Sequence, residues 1–395
     1  MTVREELYNG INIQKPWPPR MKEKEQALKK NIDRIPETIC YLSNPPKVIP
    51  IHVGRQLFVD DFLIDTSTLQ RKYYYPEPYV GNPILKPQTK IEKNEGCCPV
   101  AATFTDGVFY DSKDGLYKMW YQAGWFDGTA YAESLDGQNW YRPDLDVVPG
   151  TNMVLPFRKG YKRDGATVWI DHETKDPKSR YKLFVFFRKN EVEEIGELYI
   201  SSDGIHWNGP TITGPCGDAS SFFYNPFRKK WVFSIRKVDV EGDFHYRYRQ
   251  YYETEDFLKG ADWGRNDPVF WYGADDLDKK HAIYDCTTQL YGVDCVAYES
   301  ILLGAFEIFK GPHNRIAEEL GVPKQCDITL GYSRDGFHFC RPDRTAFLKG
   351  SEKKGTWDYG YIHASGGLCI VEKDQLRFYY SAWSGESPKY GKHMY

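Results

Sequence analysis

The chain has 395 residues, with 52 Lys plus Arg against 55 Asp plus Glu for a net charge of −3. That balance excludes the electrostatic footprint of a nucleic-acid or anionic-membrane binder, so neither is expected as a partner. Hydrophobic residues make up 41%, which excludes bulk disorder, and no apolar run approaches the length of a membrane span.

Residues 1–50 are broken repeatedly by Pro16, Pro18, Pro19, Pro36, Pro45, Pro46 and Pro50. Between these breaks, Arg20–Arg34 is the one convincing short helix. The segment is expected to be an extension that wraps over a main domain spanning 51–395. Its start, MTVREELYNG, has no apolar signal core. The protein is therefore expected in the cytoplasm, or in the periplasm or outside the cell where a signal peptide has been removed.

From Arg55 onward helix signals nearly vanish, apart from a short helix expected at His313–Leu320. The aromatic content is high, with 30 Tyr, 22 Phe and 11 Trp, and aromatics favour strands. With 34 Gly and 24 Pro to punctuate turns, the composition describes an all-β protein of many short strands.

An internal repeat organises these strands. Four copies of a Ser/Thr–x–Asp turn followed by an aromatic occur: Ser134–Asp136 with Trp140, Ser202–Asp203 with Trp207, Thr254–Asp256 with Trp263, and Ser333–Asp335 with Phe339. Three carry Gly after the Asp, where Gly supplies positive φ and Asp bonds back to the backbone. Upstream of each lies an acidic residue, a strand, a turn and an aromatic strand. A fifth unit reads WDYGYIHASGGLCIVEKDQLRFYYSAW. Five such units predict a five-bladed β-propeller, with a sandwich as the runner-up. The fifth unit is incomplete, so residues 56–64 (QLFVDDFLI) are expected to complete it, and the natural chain is expected to continue past Tyr395.

In a propeller the inner strands converge on one mouth of a central channel. Their starts here carry Asp106, Asp164, Asp218 and Asp294. Asp164 and Asp218 lie seven residues before the strand-end turns, whereas Asp106 and Asp294 lie five before. Glycoside cleavage requires two convergent carboxylates, and crowding pushes their pKa values apart. Glu299, in VAYES, is either a buried acid or a turn carboxylate at the far strand end. Trp125, Trp383, Arg163, Arg236, Asp358 and His363 are candidates for substrate binding, since flat rings suit sugars and cations suit acids. Nine cysteines, an odd number without regular spacing, argue against a disulfide framework, and the absence of CxxC and HExxH argues against zinc. No cofactor is expected, with room for a structural cation in the channel.

The stretches FTDGVFYDSKDGLYKMWYQ, YAESLDGQNW, RYKLFVFF, SSDGIHW and YSRDGFHF together resemble the five-bladed propeller glycosidases of glycoside hydrolase families 32, 43, 68 and 117. VGRQLFVDDFLI resembles uncharacterised bacterial members of that superfamily. The resemblance implies a blade-one Asp as nucleophile or base, matched by Asp106, and a blade-two Asp that stabilises the transition state, matched by Asp164. The family's blade-three Glu acid falls on Asp218, a departure that leaves Asp218, Asp294 or Glu299 for that role. Three functions compete: a glycoside hydrolase acting on a plant or microbial polysaccharide, a non-catalytic carbohydrate-binding propeller, and a glycoside phosphorylase. The last needs a cluster of cations for phosphate beside the acid.

Overall fold

The structure is a computed structural model that describes residues 5–384 except 191, 242 and 243, with the backbone alone at 241, 244, 245 and 314. The N-terminal region contains a two-strand ladder, β1 (Glu5–Glu6) with β2 (Asn12–Ile13), and three short helices, α1 (Lys22–Lys30), α2 (Cys40–Ser43) and α3 (Lys90–Lys93). Helix α1 is charged on most faces and buries only Leu28, which packs against Tyr248 and Phe270. It is shorter than the expected 20–34 because Asn31 turns left-handed at φ 53° and caps the last turn.

Four blades follow, each an antiparallel four-strand path. Blade one is β3 (Ala101–Asp111), β4 (Leu116–Ala123), β5 (Gly128–Ser134) and β6 (Met153–Leu155). Blade two is β7 (Tyr161–Ile170), β8 (Tyr181–Lys189), β9 (Glu193–Ser201) and β10 (Asn208–Ile212). Blade three is β11 (Ser221–Asn225), β12 (Lys230–Glu241), β13 (Phe244–Thr254) and β14 (Val269–Tyr272). Blade four is β15 (Gln289–Tyr298), β16 (Ile301–Gly311), then α4 (Asn314–Leu320), β17 (Gln325–Ser333) and β18 (Phe339–Cys340), with β19 (Leu348–Lys349) also on β17. The expected helix after His313 is thus present. The last unit is a pair, β20 (Ile362–Glu372) with β21 (Gln375–Ala382).

Five complete blades are therefore not observed: the described residues form four, and a two-stranded sheet closes the ring. Strand β20 packs between β3 and β15, so the innermost strands run β3, β7, β11, β15 and β20 around the axis. Residues 385–395, where the fifth unit was expected to run on, lie outside the described residues. The segment 56–64 does not complete that unit. It forms no strand and lies on blade four, where Asp60 accepts from Arg334 Nε and Nη2 at 2.9 and 2.8 Å. Both side chains are buried. This long-range ion pair outweighs the alternating pattern that suggested a strand. Breaking a buried pair leaves one charge uncompensated. Arg334→Met is expected to lower stability by about 3–5 kcal/mol, read from the urea unfolding midpoint.

The Asp turns join the third and fourth strands and show why the repeat has its chemistry. Asp136 Oδ1 accepts from Gln138 N and Asn139 N, both at 2.8 Å, and Ser134 Oγ accepts from Gly137 N at 2.9 Å. The same bonds recur at Ser201 and Asp203, and at Ser333 and Asp335. Aromatic donors of neighbouring units then bond these turns. Trp120 Nε1 donates to Gly204 O at 2.7 Å, Trp271 Nε1 to Phe337 O at 2.7 Å, and Tyr379 Oη to Gly137 O at 2.9 Å. The last of these ties β21 to blade one and closes the ring. The nine cysteines stand unpaired in the structure.

Candidate functional site

The innermost strands are interrupted near their cavity ends. The β3–β4 register shifts between Ala102 and Gly107, β7–β8 between Arg163 and Ala166, and β20–β21 between Ala364 and Cys369. Gly107 at φ 145° and Gly165 at φ 107° adopt backbone that other residues rarely reach. These bulges re-aim side chains toward the axis.

A cavity of about 630 Å³ opens there, lined from all five units. Its carboxylates are Asp164, Asp218, Glu194 and Glu318, and its cations are Arg188, Arg236, Arg247 and Lys324. Phe104, Trp125, Tyr291, Tyr361 and Trp383 supply aromatic wall. Trp125 and Trp383 meet edge-on, with ring centroids 5.1 Å apart. A second cavity of about 590 Å³ lies between blade one and β21. Its lining includes one carboxylate, Glu77, so it lacks a convergent acid pair.

Asp164 sits in the β7 bulge and Asp218 just before β11. One nitrogen, Arg188 Nη2, contacts Asp164 Oδ2 at 2.8 Å and Asp218 Oδ2 at 2.5 Å. The two oxygens can be no farther apart than the sum of those contacts. Asp218 also pairs with Arg236 Nη1. Burial pushes the Arg236 guanidinium down to about 10, and burial together with neighbouring Arg247 pushes the Lys324 ammonium down to about 8.

Of the other expected site residues, Asp106 does not reach the cavity. It is fully buried against Arg163, itself fully buried, and its Oδ2 has no hydrogen-bond partner. Burial pushes its carboxyl up to about 7 against the pull of Arg163. Arg163 is thereby placed away from substrate as well. Asp294 is also buried outside the cavity, where desolvation and then the Glu307 charge push it up to about 7. Glu299 lies at the far end of β15, paired with Arg55 at 2.8 Å. His363 is buried behind the cavity wall. Its Nδ1 lies 3.2 Å from Glu307 Oε2, and its ring is packed by Phe104, Tyr291 and Tyr361. Asp358 is half-buried in a loop outside the lining, its carbonyl accepting from Ser351 N. Among the described residues, no group of three or more His, Cys, Asp or Glu is arranged to hold a metal ion.

The raised Asp294 carboxyl sets a pH dependence. Below about pH 4 both folded and unfolded chains carry the proton. Between about pH 4 and 7 the folded chain keeps a proton that the unfolded chain has lost, so this group's contribution to stability falls as pH rises. The charge that opposes the shift is that of Arg249, whose Nη2 is held by the carbonyls of Ala219 and Tyr291. Melting curves should show wild type losing stability relative to Asp294→Asn across that window.

Arg188, Glu194, Arg247, Lys324, Tyr291, Tyr361 and Phe104 were not anticipated from sequence. Arg247 and Arg249 in YRYRQ stand two apart on one face of β13, a period-two signal that points both toward the axis.

No family model matches the chain, and no curated protein matches it. Solved structures do. A thermostable family-43 glycoside hydrolase aligns with a TM-score of 0.51 at 13% identity, covering 72% of this chain and 84% of that one. An N-acetylgalactosamine deacetylase from F. plautii aligns at 0.49 and 16% identity, over 72% and 85%. A glycosyl hydrolase from Bacteroides ovatus aligns at 0.48 and 12% identity, over 78% and 90%. The first alignment shows that the chain has the propeller fold of that glycoside hydrolase; at 13% identity it speaks to fold alone.

Proposed function

We propose that the protein cleaves a glycosidic bond of a carbohydrate held in the axial cavity, with Asp164 and Asp218 as the working carboxylates. The observation that carries this reading is that two acids from consecutive blades reach a single guanidinium nitrogen inside a ligand-sized cavity. One oxygen of each is held within the sum of those two contacts of the other, which favours the about 5–5.5 Å carboxyl separation typical of retaining glycosidases.

Asp218 is held by two guanidinium groups, which fix its carboxylate in position for attack. Asp164 has Arg188 alone, and the Arg188 side chain is one-third exposed. We assign the acid role to Asp164 and the attacking role to Asp218. Asp164 then protonates the glycosidic oxygen as the C1–O bond breaks and an Asp218 oxygen bonds to C1. Water, giving a proton to Asp164, displaces Asp218 from C1 and completes the cycle. Trp125 and Trp383 offer the sugar platform.

A second reading, a binding module without catalysis, is favoured by the fact that both acids already have arginine partners. A screen of plant cell-wall and microbial oligosaccharides separates the two. New reducing ends released by wild type support cleavage. Glycan binding that leaves every substrate intact, and survives Asp164→Asn, supports the module.

A further inference from the structure

One wall of the axial cavity gathers Arg236, Arg247 and Lys324. The Arg236 guanidinium lies 5.7 Å and the Arg247 guanidinium 6.0 Å from the Tyr291 ring centre, and Lys324 Nζ lies 4.2 Å from the Tyr361 ring centre. Those two rings are themselves 5.7 Å apart, edge to face. Three cations thus share one pair of tyrosines. Arg236 has Asp218 as partner. Arg247 donates to the neutral Gln289 Oε1 at 2.7 Å, and its Nε has no hydrogen-bond partner.

Among the described residues no carboxylate lies within ion-pair distance of Arg247 or Lys324, although Glu194 and Glu318 line the same cavity. Like charges gathered in a partly dry wall repel one another and lose hydration, a cost that a bound anion would offset. Burial and Arg247 together already press the Lys324 ammonium toward its neutral form. A planar guanidinium and a point-charge ammonium lining one cavity suit an oxyanion.

We propose that Arg247 and Lys324, with Arg236 at their edge, form an oxyanion subsite that takes one carboxylate, sulfate or phosphate group. The group is borne by the bound saccharide or arrives as free phosphate. The saccharide-borne source rests on the function proposed above; anion binding itself does not.

The test is isothermal titration calorimetry of the full chain at low ionic strength with D-galacturonate, D-galactose and inorganic phosphate. Wild type, Arg247→Gln, Lys324→Met and Asp164→Asn are compared. Galacturonate or phosphate is expected to bind about 10–100-fold tighter than galactose, and each cation variant to remove most of that advantage. Galacturonate bound more tightly than phosphate identifies a sugar-borne anion, and the reverse identifies free phosphate. The ligand-free melting temperature of Lys324→Met should hold or rise, because an uncompensated cation is lost. A cation with a purely structural role would lower it.

The proposal is overturned if neither anion outbinds galactose, or if both cation variants keep the wild-type preference. Anion binding retained while no glycan is cleaved sinks glycosidic cleavage and leaves the subsite standing. Cleavage of neutral glycans without anion binding sinks the subsite alone.

Discussion

Asp164→Asn is expected to lower glycan turnover by about 10²–10⁴-fold while leaving the fold intact, the usual contribution of a positioned acid–base group. Asn preserves the shape of the side chain and much of its hydrogen bonding, and Arg188 retains Asp218 as a partner. Asp218→Asn should cost at least as much activity, because it removes the proposed attacking oxygen. It also leaves Arg236 without its carboxylate. Its melting temperature should therefore drop further than that of Asp164→Asn. Steady-state kinetics on any cleaved oligosaccharide, with melting curves as control, check both effects. The loss should fall on kcat rather than KM, since the aromatic wall that binds the sugar is untouched.

The second large effect concerns stability. Asp106→Ala is expected to destabilise the protein by about 3–5 kcal/mol, because it leaves the guanidinium of Arg163 buried without its counter-charge. Both side chains are fully buried, so solvent cannot take over the lost interaction. Asp106→Asn keeps the side-chain volume, and with no carboxylate of its own in the cavity it should keep turnover within about tenfold of wild type. Urea titration of the Ala variant and kinetics of the Asn variant test the two halves. A turnover loss in Asp106→Asn as deep as that in Asp164→Asn would return Asp106 to the chemistry.

The contrast between Asp106 and Asp164 was partly legible in the sequence. Asp164 and Asp218 stand seven residues before their strand-end turns, and both line the cavity. Asp106 and Asp294 stand five before, and both are buried below it. Two residues along a strand amount to about 7 Å, with the side chain on the same face, which is enough to move a carboxylate from mouth to channel. The turn repeat was legible for a simpler reason: its bonds are local, from one Ser and one Asp to amides two or three residues away. The placement of residues 56–64 was not legible, because it depends on Asp60 meeting Arg334 from the far side of the sequence. Of the cavity cations Arg236 was anticipated; Arg188, Arg247 and Lys324 were missed because they come from strands and loops outside the inner ring. Arg188 ends β8, Arg236 and Arg247 lie on the β12–β13 hairpin, and Lys324 precedes β17.

The central claim, cleavage by a close pair of carboxylates at Asp164 and Asp218, is tested most directly by following an oligosaccharide digest with proton NMR of the anomeric region. Wild type is predicted to release a product whose first-formed anomer keeps the configuration of the substrate, and Asp164→Asn to release almost none on the same timescale. An inverted first-formed anomer, or equal rates from wild type and Asp164→Asn, would contradict it.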